Sequence, residues 1–284
     1  MSTYCMKRKI KCFYSRIILP EKSKSMDRRR FIFMANSFFL GSFFGLGGFS
    51  KVFALEDQEN RSTFQPKIAL IIDDIGYSRS RAQRFLDLGI PITFSILPRL
   101  KYSNDLALYI NTEGHDVMLH QPMEPYNSMI DPGPGALYVG DRQEKVAKIL
   151  AENIASIPFA AGANNHMGSR FTECEQEMSQ ALSVIREKGL FFIDSLTSSH
   201  SIAYSTAKKL HMTTAFRNIF LDNSRDLPDI IRQLERLKIH AQKYGRAIGI
   251  GHPHVETALA IAKFFKRQAE SACSLVHVSD IVQA

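Results

Sequence analysis

The chain has 284 residues, of which 45% are hydrophobic and 23% charged. This is the balance of a soluble globular protein, and it excludes whole-chain disorder, a collagen-like fibre and a multi-span membrane protein. The net charge of +8 would suggest a nucleic-acid partner, but residues 1–30 carry ten Lys/Arg and two acids, which is the entire surplus. The rest of the chain is neutral and lacks the phosphate-neutralising surface that nucleic acid requires.

The basic start runs into FIFMANSFFLGSFFGLGGF (residues 31–49), followed by small or apolar residues at Val52 and Ala54. That order is the form of a secretory signal with a cleavage site. Asp27-Arg28-Arg29-Arg30-Phe31-Ile32 resembles a twin-arginine export signal, and Asn36, Ser37, Ser42 and four glycines keep the run only mildly hydrophobic. The expected organisation is a leader over residues 1–54, a polar flexible stem over 55–66 and a single domain over 67–284. The protein is then exported to the periplasm or cell envelope. Its partner on the way is the export machinery, and membrane contact is confined to an uncleaved leader. Translation from either Met1 or Met26 fits the signal. Of four cysteines only Cys174 and Cys273 lie beyond the leader, and no Cys-x-x-Cys is present, which excludes a disulfide scaffold and a thiolate zinc site.

In chain order, apolar runs predict strands over residues 68–72, 92–97, 117–119, 159–163, 190–193, 213–216, 247–250 and 275–278. Helical spacing predicts helices over 79–88, 104–112, 144–157, 175–188, 201–210, 229–244 and 255–268, several closed by glycine or proline. Several strands are continuously apolar, as buried parallel strands are. The alternation predicts an α/β domain, its sheet either open and doubly wound or closed as a barrel. Residues 121–142 lack periodicity and hold Pro122, Pro125, Pro132, Gly133, Pro134 and Gly135, so a long functional loop is expected there.

Polar residues gather where these strands end. Asp73 and Asp74 follow the first, His120 and Glu124 the third, and Asn164, Asn165 and His166 the fourth; Asp194 and Ser195 end the fifth, and His252 and His254 follow the seventh. In parallel α/β folds sites are built at that edge. Asp, His and a further Glu or His suit zinc or a similar divalent ion, which polarises an acyl oxygen and acidifies water. A neighbouring carboxylate can take the water's proton, and a histidine opposite can protonate a departing amine. Asp73-Asp74 brings two carboxylates to one centre. His120 and Glu124 are four apart, so a helical turn or tight loop would bring both to one ion.

The blocks IALIIDDIGY (68–77), EGHDVMLHQPMEP (113–125), GANNHMGSRFT (162–172), GLFFIDSLTS (189–198) and AIGIGHPHVET (247–257) together resemble the divergent polysaccharide deacetylase family. That family is distantly related to the metal-dependent carbohydrate esterases that deacetylate chitin and peptidoglycan. The resemblance implies a distorted (β/α)-barrel of about seven parallel strands. It implies Asp73 as catalytic base, Asp74 and His120 as metal ligands, His252 as general acid and Asp194 as the acid that orients it. The esterases' second ligand histidine is replaced by Glu124, so the third ligand is Glu124 or His166. Asn165, Arg170 and His254 are implied as substrate or supporting groups. The function implied is metal-dependent removal of acetyl groups, foremost N-acetyl, from an envelope polysaccharide, with an acetylated glycan as substrate and zinc as the foremost ion. The alternative is a catalytically silent saccharide-binding or envelope-scaffolding protein on the same fold.

Overall fold

A computed structural model describes residues 65–267 and 273–282. The leader and all but the end of the stem lie outside the described residues. Among the described residues nine strands form one parallel sheet: β1 Lys67–Ile75, β2 Thr93–Ile96, β3 Asp116–Met123, β4 Ala160–Met167, β5 Phe191–Asp194, β6 Thr214–Phe216, β7 Ile219–Phe220, β8 Arg246–Gly251 and β9 Ser274–Val276. The helices between them are α1 Arg79–Leu86, α2 Ser103–Thr112, α3 Gln143–Ser156, α4 Glu175–Glu187, α5 Ala203–Lys209, α6 Leu227–Tyr244 and α7 Val255–Arg267. Among the described residues no helix is long and apolar enough to cross a membrane.

The strand order is β6-β5-β4-β3-β2-β1-β8-β7, with β9 beside the first residues of β1. The two edge strands β6 and β7 are consecutive in the chain, separated only by Arg217 and Asn218. The dipeptide therefore spans the two edges and curls the sheet. Arg217 N donates to Asp194 O on the β5 side, while Asn218 N donates to Ile248 O at 2.9 Å and its Oδ1 accepts from Ile248 N at 2.7 Å. The result is the distorted barrel expected, closed at one seam by chain rather than by a strand ladder. β9, three residues long, answers the last predicted run, and only β7, two residues long, is an addition to the predicted strands.

Parity along the strands separates two cores. In β1, Ile68, Leu70 and Ile72 face the helices with Phe85, Phe94, Leu119, Phe192 and Leu234. Ala69 and Ile71 face the inside of the curl with Met118, Phe191, Ile193, Ile248 and Ile250, and Val278, Ile281 and Val282 from the end of the chain close it at the edge where the strands begin. Gly162 leaves room for the Phe191 ring there, since a Cβ on Gly162 would stand 2.3 Å from it. The inward-facing apolar layers end at the C-terminal edge of the sheet, and the polar residues begin. Cys174 and Cys273 form no disulfide.

The loop expected over 121–142 begins later than its sequence suggests. Gln121, Pro122 and Met123 continue β3, paired with Asn165, His166 and Met167 of β4. Pro122 lacks an N–H, but its carbonyl accepts from Leu137 N, and Met123 bridges to Leu137, so the returning loop satisfies the strand end. Buried Asn153 on α3 anchors the loop: its Nδ2 donates to Gln121 Oε1 and to Gly135 O, both at 2.8 Å, and Arg99 Nε donates to its Oδ1 at 2.7 Å.

Candidate functional site

Adjacent residues of a regular strand point to opposite faces, so Asp73 and Asp74 share a site only if the strand is interrupted. It is interrupted: the β1–β2 register slips between Ile72 and Ile75, and Asp74 adopts φ 57°, a left-handed conformation that Asp tolerates better than most residues. Both carboxylates therefore line one cleft of about 490 Å³ at the C-terminal edge of the sheet.

Register places the histidines. His120 of β3 lies opposite Asn164 of β4, and His166 is two positions further along β4, on the same face. Three atoms converge. Asp74 Oδ1 is 3.2 Å from His120 Nε2 and 3.0 Å from His166 Nδ1, and the two nitrogens are 3.0 Å apart. Ligands about 2.0–2.1 Å from a tetrahedral ion stand about 3.3 Å from one another, so this spacing suits one divalent cation. Asp74 Oδ1 is buried and accepts no hydrogen bond of good geometry, despite its two imidazole neighbours. His120 Nδ1 donates to Asn164 Oδ1 at 2.7 Å, leaving the Nε2 lone pair directed at the cluster.

The charges say the same. Burial alone would raise the Asp74 carboxyl, but His120 and His166 outweigh it and hold Asp74 far below the usual carboxylate range. Burial likewise disfavours a charged His120, yet Asp73 and Asp74 outweigh that and push its proton affinity up. The cluster thus attracts a positive charge, which a proton supplies at His120 and which a divalent ion would supply instead.

Asp73 is almost fully buried. Its Oδ1 accepts from Asn164 Nδ2 at 2.9 Å and its Oδ2 lies 3.7 Å from His120 Nε2. Asn164 is itself fixed by Ser95 Oγ, which donates to Asn164 Oδ1 at 2.5 Å. A single amide thus orients both the carboxylate and the first histidine.

His252 follows β8 across the cleft, its Nε2 3.9 Å from Asp74 Oδ2. Asp222, just past β7, accepts from His252 Nδ1 at 3.0 Å and from His252 N at 2.6 Å, and Thr257 Oγ1 donates to it at 2.7 Å. Burial works against a protonated His252, but the Asp222 hydrogen bond and charge, with Asp73 and Asp74, push its pKa up to about 9. The same pairing outweighs burial at Asp222 and lowers its carboxyl.

Asp73, Asp74, His120, His166, His252 and Asn165 all line the cleft. Asn165 supports its wall, accepting from Ser195 N and donating to Met167 O at 2.9 Å. Glu124 does not join the cluster. Its Oε1 accepts from Arg170 Nη1 at 2.6 Å and its Oε2 from Val139 N at 2.7 Å, so it fastens the long loop, and Arg170 is drawn to it rather than to the cleft. Asp194 is not the residue that holds His252. Its oxygens accept from Leu196 N, Ser201 Oγ and Tyr204 N, which shapes its own connection to α5, and the orienting position belongs to Asp222. His254 sits behind His252, ring centroids 6.1 Å apart, and is not among the lining residues. Sequence names Asn164 only as a polar residue at a strand end, and does not point to Asp222, Ser95 or Arg217. Asn164 lies on the same strand as His166, whereas Asp222 follows the three-residue apolar run Ile219-Phe220-Leu221, which is not among the predicted strands.

A curled parallel α/β sheet with an Asp-His-His cluster at its C-terminal edge has the architecture of the polysaccharide deacetylases. The chain belongs to the divergent polysaccharide deacetylase family, whose profile matches residues 70–282. It is 33% identical over 199 residues to an uncharacterized protein of Haemophilus influenzae Rd, spanning 68% of this chain and 69% of that one. It is 30% identical over 191 residues to the uncharacterized protein YibQ of Escherichia coli K12, spanning 67% of this chain and 60% of that one. The crystal structure of an uncharacterized protein of Agrobacterium tumefaciens C58 superposes with a TM-score of 0.73 at 25% identity, over 77% of this chain and 89% of that chain.

Proposed function

We propose that the protein is a metal-dependent hydrolase that removes acetyl groups, foremost N-acetyl, from an envelope glycan. The observation that carries this reading is the pairing of a three-ligand cluster with a separate buried carboxylate on one side and a carboxylate-held histidine on the other. Asp74, His120 and His166 would hold the ion, and two nitrogens with one carboxylate oxygen suit zinc. Bound there, it would supply Lewis acidity toward an acyl oxygen and toward water.

The chain's own residues do the proton transfers. Asp73, aimed by Asn164, takes a proton from the attacking water. His252, kept protonated by Asp222, gives its Nε2 proton to the departing amine nitrogen as the C–N bond breaks, leaving acetate and the free amine. Asp73→Asn is expected to retain one divalent ion per chain, read by elemental analysis, while acetate release from N-acetylated chitooligosaccharide or peptidoglycan falls by about 10²–10⁴-fold. Undiminished release would remove Asp73 as base. A wild-type protein that binds these glycans and never releases acetate would be a saccharide-binding protein.

The same reading assigns this activity to the cell envelope, supported by the basic, twin-arginine-like and apolar order of residues 28–54. N-terminal sequencing of the protein from a periplasmic fraction is expected to begin just beyond Ala54. Recovery of the whole pool in the cytoplasm with its leader intact would overturn this placement.

A further inference from the structure

Arg217 is the only Lys or Arg among the described residues that line the cleft. Its guanidinium is fixed on three sides by neutral groups. Nε donates to Ser195 O at 2.7 Å, Nη2 donates to Leu196 O at 2.8 Å, and the group lies 4.9 Å over the Phe220 ring. The carboxylates whose charge reaches it are committed elsewhere, Asp73 to Asn164 and the metal-cluster side, Asp194 to its own loop. Neither forms an ion pair with Arg217 among the described residues, and Nη1 makes no hydrogen bond to them. Beside it, Ser195 is only 5% exposed, lines the same cleft, and has a buried Oγ with no hydrogen-bond partner. A largely buried cation without an anion and a buried hydroxyl without a partner are both unfavourable, and a ligand oxygen placed between them would relieve both.

We infer that Arg217 and Ser195 form an anion subsite that receives a carboxylate carried by the sugar close to its acetyl group. The inference rests on the deacetylase reading and narrows its substrate to an acidic N-acetyl sugar. With Nε and Nη2 occupied, Nη1 remains for one carboxylate oxygen, and the Ser195 hydroxyl donates to the same group. The stack on Phe220 and the two carbonyl contacts hold the guanidinium in place before the ligand arrives, so little ordering is lost on binding. A neutral glycan would satisfy the hydroxyl but not the charge.

The test is a calorimetric titration of the full-length, zinc-loaded protein with N-acetylmuramic acid and with N-acetylglucosamine, which differ by the lactyl ether that carries the carboxylate. The acidic sugar is expected to bind about tenfold more tightly, as a charge-assisted contact warrants. Arg217→Gln should bring the two affinities together, Arg217→Lys should keep part of the difference, and Ser195→Ala should weaken the acidic sugar more than the neutral one. Equal affinities in the wild type, no binding of either sugar, or a preference that survives Arg217→Gln would each overturn the subsite. The wild-type comparison needs no variant, so a poorly folded Arg217→Gln leaves it decisive. Acetate release is read separately: a preference for the acidic sugar without release overturns the deacetylase reading alone, and release without a preference overturns the subsite alone.

Discussion

His166→Ala is expected to abolish tight binding of a divalent ion, whereas Glu124→Gln is expected to leave one ion per chain. The prediction decides between the two residues that sequence left open as third ligand. His166 Nδ1 stands 3.0 Å from both Asp74 Oδ1 and His120 Nε2, inside the convergence of lone pairs. Glu124 has both oxygens engaged by Arg170 and Val139 N and would have to break those contacts to reach an ion. Loss of one of three ligands costs far more than loss of a loop fastening, and the expected drop in affinity exceeds the 10–100-fold that second-shell changes cause. His120→Ala should match His166→Ala, while Asn164→Ala, which keeps all three ligands but frees the His120 ring, should fall within the second-shell range. Elemental analysis after dialysis, with competition against a metal-sensitive dye, reads all four. A metal lost from Glu124→Gln and kept by His166→Ala would reverse the assignment and require the long loop to refold around the ion.

The contrast between these two residues shows where the sequence is informative. The strand ends were legible because continuous apolar runs stop abruptly at Asp73, His120, Asn164 and His252, and polar residues at that edge have little packing reason to be there. The i, i+4 spacing of His120 and Glu124 brings both to one ion only through a helical turn or a tight loop. β3 instead stays extended through Met123, and four residues along a strand cover about 13 Å. His166 comes close instead through the parallel register, a long-range pairing that no local pattern encodes. The β1 bulge that turns both Asp73 and Asp74 inward depends on a positive φ at Asp74, a backbone state that the neighbouring residues do not announce. Asp222 and Arg217 were hidden for a related reason. The run 213–216 announced β6, but β7 is only Ile219–Phe220, and the residues flanking so short a strand read as loop. Asp194, at the end of a well-marked strand, therefore drew the role that Asp222 fills.

That exchange of roles sets the second large effect, which lies in the pH dependence. In the proposed mechanism His252 donates its proton only while it is protonated, and its pairing with Asp222 pushes its pKa up and keeps it so through neutral pH. Turnover should therefore hold through neutral pH and fall on the alkaline side as His252 loses its proton. Asp222→Asn keeps an oxygen beside His252 Nδ1 but removes the charge, so the desolvation that opposes the imidazolium is no longer offset by its strongest partner. The alkaline limb should move to lower pH, and turnover at pH 8 should drop by about 10–10²-fold, a share of what a general acid contributes. His252→Gln should remove the limb and cost about 10²–10⁴-fold on its neutral side, the difference narrowing as pH rises through it. Asp194→Asn supplies the comparison. It disturbs the Leu196, Ser201 and Tyr204 contacts and lowers thermal stability, but the alkaline limb should stay where it is. A limb that moves with Asp194→Asn and not with Asp222→Asn would return the orienting role to Asp194. A turnover rate that rises across pH 8–10 in the wild type would exclude His252 as the acid, because the deprotonated imidazole has no proton to give.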